Sequence, residues 1–187
     1  MGMPIERSDQ PPVSTGSDYY ESRDFTELYD EYFDRVNRYL RYRVHSTWDA
    51  DDLTTTVFVK ALEKFHQYSR TSPFASWIFR IAHNTYVDFV RKNRELPMDQ
   101  HDFLDGEPDD TWQPERHVLS SEQIQLLKVR MELLTQDQRD VLTLRYFADL
   151  KISQVAEVLG KSESSIKMIT CRALQHLQKM YERGDSE

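Results

Sequence analysis

Apolar residues recur at three- and four-residue spacing in several separate stretches of this chain, the period of an amphipathic helix. In residues 25–44 the stripe is Phe25, Leu28, Tyr29, Tyr32, Phe33, Val36, Tyr39 and Leu40. Arg35, Arg38, Arg41 and Arg43 gather toward the C-terminal half of that stretch, where cations suit the helix dipole; they read as a solvated face. A second helix is expected over 47–65. Thr47 is its cap, Asp49, Asp51 and Asp52 lie in the first turn, and Leu53, Val57, Phe58, Ala61, Leu62 and Phe65 form the apolar face. The third, 72–94, is different. Ser72 can cap it and Pro73 suits its first position. Phe74, Ile78, Ile81, Ala82, Thr85 and Phe89 make one face, but Trp77, Phe79, Tyr86 and Val90 lie outside it. A helix apolar nearly all round is either deeply buried or has a second partner.

Periodicity fails over 96–115, where Pro97, Gly106, Pro108 and Pro114 are mixed with many Asp, and it returns at 117–134. Thr135 to Gln138 then reads as a capping box opening a helix to about 147, with Val141, Leu142, Leu144 and Tyr146 apolar. A short helix over 152–159 ends at Gly160, where a left-handed turn is needed. Ser162 caps a last helix to about 181, with Ile166, Ile169, Ala173, Leu174, Leu177 and Met180 as its buried stripe. Residues 1–24 are rich in Pro, Ser, Asp and Gln and are expected to be disordered.

The 187 residues carry a net charge of −8, which at first argues against nucleic acid. The charge is uneven, however: residues 96–122 hold eight acidic residues against Arg116 alone, and the flanking stretches are close to balanced. The average therefore misleads. Residues 96–116 read as an extended, self-repelling acidic linker between two all-α domains, 25–95 and 117–183. The single cysteine, Cys171, excludes an internal disulfide and a cysteine-clustered metal site. No run approaches the ~18 apolar residues of a membrane span, and no signal pattern opens the chain, so a cytoplasmic protein is expected.

Two stretches carry candidate chemistry. In 72–94, aromatics alternate with Arg80, Asn84, Arg91, Lys92 and Arg94. Rings can stack on unpaired bases, cations hold phosphates, and an amide reads a base edge; a core helix with a solvated basic end accounts for the same residues. Residues 152–181, a helix, a glycine turn and a serine-capped helix, have the form of a helix-turn-helix. Ser162, Ser164 and Ser165 put hydroxyls and free N–H groups where a phosphate would sit, and Lys167 and Arg172 can reach bases or backbone. No nucleophile–base pair, P-loop or zinc spacing appears, so no catalytic residue, metal or cofactor is expected.

One unit suited to single strands and one suited to duplex DNA is what promoter opening requires. The chain resembles the extracytoplasmic-function sigma factors of the sigma-70 superfamily over roughly 25–181. The marks of the second sigma region are Leu28–Tyr29, the Asp49-Ala50-Asp51-Asp52-Leu53 segment, Val57–Phe58 and the run from Phe74 to Asn84. Those of the fourth are Leu134–Thr135, Gln138–Arg139, Leu144-Arg145-Tyr146, the run from Val155 to Gly160, Ile166–Lys167 and Arg172-Ala173-Leu174.

The resemblance implies a non-enzymatic initiation factor whose partners are core RNA polymerase, through its β′ clamp and β flap, promoter DNA and an inhibitory anti-sigma protein. It implies polymerase docking by Asp49, Asp51, Asp52, Leu53, Val57 and Phe58. Melting and binding of the minus-ten element would fall to Trp77, Phe79, Arg80, Asn84, Arg91 and Lys92. The minus-thirty-five element would be read by Ser162, Ser164, Ser165, Lys167, Met168, Cys171 and Arg172. An exposed apolar surface around Trp77 and Phe79 would attract the anti-sigma partner when polymerase is absent. Thr55 and Thr56 stand where the family usually has Gln-Glu, Lys151 where a Ser starts the helix-turn-helix, Gln154 where Glu is common, and Cys171 where His is common. Fewer cations on the last helix predict weaker unaided DNA binding with a shallower salt dependence. The rival readings are a helix-turn-helix regulator acting on duplex DNA without polymerase, and an enzyme acting on nucleic acid.

Overall fold

The computed structural model describes residues 24–44, 46–69, 71–95 and 121–184, so the N-terminal extension up to residue 23, the acidic linker and the start of the helix expected at 117 lie outside the described residues. Those described form helices α1 (Phe25–Arg41), α2 (Thr47–Lys64), α3 (Phe74–Glu95), α4 (Ser121–Glu132), α5 (Gln136–Leu142), α6 (Ile152–Leu159) and α7 (Glu163–Gly184). Among the described residues there is no strand.

The helix ends follow from capping chemistry. Asp24 accepts from the Phe25 N–H and opens α1. Ser46, one residue earlier than expected, caps α2 by accepting from the Asp49 N–H at 3.3 Å, and Thr47 becomes the first helical residue. At α3 the Pro73 carbonyl takes the first helical bond, from Trp77 N–H, so proline occupies the cap position. The capping box at Thr135 and Gln138 forms in both directions. After α5 the chain widens into one π-helical turn over Thr143–Phe147, closed by Ala148 N–H on the Thr143 carbonyl at 3.1 Å. Asp149 then takes a left-handed conformation, φ 52°, which a short polar side chain tolerates better than most.

Packing joins the two halves. α1, α2 and α3 enclose a buried cluster that includes Leu28, Val36, Leu40, Val57, Phe74 and Ile78, and the same cluster continues without a break into Val141, Leu144, Leu150, Val155 and Ile166. The connection runs where α6 packs on α3 and the π turn packs on α1. A smaller cluster of Leu134, Leu142, Ala173 and Leu177 holds α5 to α7. The second partner that the all-round apolar α3 calls for is therefore α6. Several residues expected in apolar faces stand in solvent instead: Leu62 is 60% exposed, Tyr146 55% and Leu174 43%, and Tyr29 is also exposed.

Candidate nucleic-acid interface

The C-terminal surface is open. Gly160 ends α6 with φ 64°, a conformation that costs a residue with a side chain roughly 1 kcal/mol or more. Lysine has no acceptor, so Lys151 cannot cap α6; Gln154 supplies the one bond, accepting from the Lys151 N–H at 2.8 Å. Ser162 accepts from the Ser165 N–H at 3.2 Å and starts α7. Lys161 pairs with Asp137 at 3.0 Å and ties the turn to the start of α5. Ser162, Ser164, Lys167, Met168, Cys171 and Arg172 are all exposed, and Ser165 is half-buried. From Ser164 onward they fall at helical spacing on one face of α7, opposite Ile166, Ala173 and Leu177. The structure thus brings the expected duplex-reading residues together on a free face.

The expected single-strand surface on α3 is only partly available. Asn84, Arg91 and Lys92 are exposed, and Arg91 pairs with Asp88 at 3.0 Å. Phe79 is 0% exposed. Its ring meets Tyr39 edge-on at 5.8 Å and lies under the Arg35 guanidinium, so in this arrangement it is core and cannot stack on a base. Trp77 is half-buried in an aromatic group with Phe65, Tyr68 and Phe74. The expected exposed apolar patch around Trp77 and Phe79 is consequently not there: tertiary packing covers it. Arg80 reaches across to α6 and donates to the Glu157 carbonyl.

On α2 the expected docking set divides. Asp51 and Asp52 are exposed and Asp49 is half-buried, whereas Leu53, Val57 and Phe58 point into the core. Those three can shape a docking face but not form its surface. Asp51 accepts from Asn37 at 2.8 Å and pairs with Arg41 at 3.4 Å, so its role exceeds that of a helix-dipole charge. The surface residues that the sequence reading missed are Trp48, Val59 and Leu62, which are 81%, 51% and 60% exposed. With Asp52 and Thr55 they follow helical spacing along the outer side of α2. The signal was a second apolar stripe beside the core stripe.

The arginines of α1 are the larger omission. Rather than a solvated face, Arg35 and Arg38 grip the end of the π turn. Arg35 donates to the Ala148 and Asp149 carbonyls at 2.8 and 3.1 Å, and Arg38 to the Phe147 carbonyl at 2.8 Å. These carbonyls are left free by a helix end, where cations are favoured. Tyr42 lies against Phe147 with ring centroids 3.6 Å apart. Arg43, with its side chain 1% exposed, pairs with Asp140 at 2.5 Å and sits over the Tyr86 ring.

His83 lies beside this pair, its Nδ1 3.3 Å from the Tyr39 hydroxyl. Burial pushes its pKa below the ordinary 6.5, with Asp140 opposing and Arg43 adding to the shift. Burial also drives the Tyr39 phenol far up, so that group stays protonated. The native state thus holds His83 neutral while the unfolded chain takes up a proton below about pH 6.5. Full stability is present above that pH and is lost as the pH falls through the lower native value. Urea midpoints of the wild type should drop on acidification from pH 7 to 5 by more than those of His83→Gln. Parallel curves would remove His83 from the account.

Among the described residues no group of three or more His, Cys, Asp or Glu could hold a metal ion, and no helix is long and apolar enough to cross a membrane. Two family models match the chain: Sigma-70 region 2 over residues 28–95, and Sigma-70, region 4 over residues 130–179. The ECF RNA polymerase sigma factor BldN of Streptomyces coelicolor is 32% identical over 162 residues, which cover 86% of this chain and 61% of BldN. This chain therefore spans less than two thirds of that relative. The RNA polymerase sigma factor YlaC of Bacillus subtilis is 28% identical over 162 residues, covering 86% of this chain and 94% of YlaC. Among solved structures, the sigma factor RpoE in complex with the anti-sigma factor NepR from Bartonella quintana shares the fold. Its TM-score is 0.68 at 21% identity, over 85% of this chain and 97% of that one.

Proposed function

The chain belongs to the extracytoplasmic-function sigma factors of the sigma-70 superfamily, the initiation factors of bacterial transcription, and from that premise we propose how its surfaces divide the work. It binds core RNA polymerase, carries it to a promoter and holds the melted strand; the chemistry belongs to the polymerase. The observation that carries this reading is the presence of both sigma-70 regions, in order, in one chain.

The outer side of α2, with Asp51, Asp52, Thr55, Val59 and Leu62, is the proposed docking face for the β′ clamp. Exposed apolar anchors beside carboxylates suit a partner helix that is apolar with a basic rim. α7 reads the minus-thirty-five duplex. Its free face offers a lysine, an arginine and hydroxyls at a helix N-terminus, which fix register on phosphates as well as reach bases. α3 holds the melted minus-ten strand through Asn84, with Arg91 and Lys92 along its backbone. Extracting a base from its stack costs a few kcal/mol, which pocket contacts must offset. The acidic residues of 96–116 would occupy the path of nucleic acid through polymerase. An anti-sigma protein, of the kind named in the RpoE complex, is a proposed regulator of this chain in the cytoplasm.

Reconstituted transcription tests the reading. Bacterial core polymerase with this protein should start at discrete promoters that core alone ignores. Binding to duplex DNA with no association with polymerase would establish the helix-turn-helix regulator instead. Asn84→Ala separates site from scaffold. The side chain is exposed, so helicity and core affinity should stay within error, while open complexes fall on the order of tenfold, the effect of one lost base contact. Equal loss of polymerase binding and helicity would make Asn84 structural.

A further inference from the structure

We propose that Met168, with Cys171 one turn on, reads thymine in the minus-thirty-five element by contact with the C5-methyl group, so that apolar readout of adjacent base pairs sets the sequence this chain selects. The proposal rests on the reading of α7 as the duplex-binding helix and names what that helix recognises.

The first observation is position. Met168 stands at the centre of the free face of α7, with Ser164 and Ser165 one turn before it and Cys171 and Arg172 one turn after, at the spacings that make helix neighbours. Its side chain is 48% exposed and lies opposite Ile166 and Ala173, which are fully buried, so it fills no core position. The second is the chemistry around it. Ser162 is committed as the cap, accepting from the Ser165 N–H at 3.2 Å, and the Thr170 hydroxyl donates to the Ile166 carbonyl at 2.8 Å. Lys167 and Arg172 are exposed on either side of Met168, where they suit phosphates and guanine edges. Residues 162–172 contain no Asn or Gln, the amides that read adenine. The middle of the face therefore offers a thioether and a thiol, both weak at hydrogen bonding. The base edge that rewards such groups in the major groove is the thymine methyl. A cytosine in the same place sets its N4 amine against a thioether and leaves that donor without an acceptor. The third is reach. Residues three apart on a helix rise about 4.5 Å, against about 3.4 Å per base pair, so Met168 and Cys171 address adjacent pairs. The unbranched methionine side chain can adjust to a methyl on either strand.

The test uses the full chain, alone at low salt and in complex with bacterial core polymerase, to select duplexes from a randomised pool. Each thymine of the selected upstream element is then replaced in turn by deoxyuridine, which removes the methyl and keeps the base pair. At one thymine, uracil should weaken binding of the wild type about fourfold, the worth of one buried methyl group, and Met168→Ala should bind the thymine and uracil duplexes alike. Cys171→Ser should abolish the uracil effect at the adjacent thymine only. Both side chains are exposed, so helical circular dichroism should stay unchanged in either variant. An element selected without thymine, indifference to uracil at every position, or a uracil effect that survives in Met168→Ala overturns the methyl readout. A uracil effect with the protein alone and no association with core polymerase overturns the initiation-factor reading and leaves the methyl readout standing. Protein-dependent starts at promoters indifferent to uracil do the reverse. No selected duplex in either arm overturns both.

Discussion

Phe79→Ala is expected to destabilise the protein by about 3–5 kcal/mol, the cost of emptying a buried aromatic site that cannot collapse. The ring is fully enclosed, contacts Tyr39 edge-on and lies beneath Arg35, so its loss opens a cavity on the line where α1 and α3 meet. Denaturant titration followed by circular dichroism measures this directly. The melting temperature should fall by on the order of 10 °C, since about 1 kcal/mol moves a chain of this size by roughly 2–4 °C. A residue whose main task is stacking on a melted base gives the opposite result: stability nearly unchanged and promoter opening lost. Phe79 and Asn84 lie on the same helix and carry the same implied role by resemblance, yet the structure separates them by burial. Phe79→Ala should behave as a folding variant and Asn84→Ala as a DNA variant.

Val59→Glu together with Leu62→Glu should weaken binding to core polymerase by at least about tenfold, or about 1.4 kcal/mol, with stability changed by no more than about 0.5 kcal/mol. Both side chains are more than half exposed on the outer side of α2, so the carboxylates remain in water in the free protein. In the docked state they replace apolar anchors at the centre of the proposed contact, where truncation or charge is costly. Competition for core polymerase against the wild type reads the effect. Unchanged competition would move the docking face off α2. Substituting Leu53 or Val57, by contrast, should cost stability first, because those side chains are core.

Much of the architecture was written in local pattern. Thr135 with Gln138, Gly160 and Ser162 act where capping chemistry places them, because each bond is made within a few residues of chain and needs nothing from elsewhere. The stripe Ile166, Ala173, Leu177 and the free face opposite it were likewise legible, since a helix presents its faces at a fixed period. The resemblance located both sigma regions from their order and residues, and the family matches agree with it.

Tertiary structure decided what shares a period with two meanings. Trp77 and Phe79 could be core or base-stacking rings, and only the approach of α1 to α3 at Phe79 and of Phe65 and Tyr68 at Trp77 resolves them toward burial. Leu62 fits an apolar stripe by spacing, yet no described element packs over it. Arg35, Arg38 and Arg43 read as a solvated face because sequence spacing shows which way a side chain points on its own helix and not what lies opposite. Their acceptors are more than 90 residues away, at Asp140, Phe147, Ala148 and Asp149. A helix end frees carbonyls wherever it stops, but which cation meets them depends on how the halves dock. The contact between the halves was therefore invisible in the sequence, for the physical reason that long-range pairing depends on the docked positions of whole helices, whereas caps and stripes are settled within a turn or two of chain.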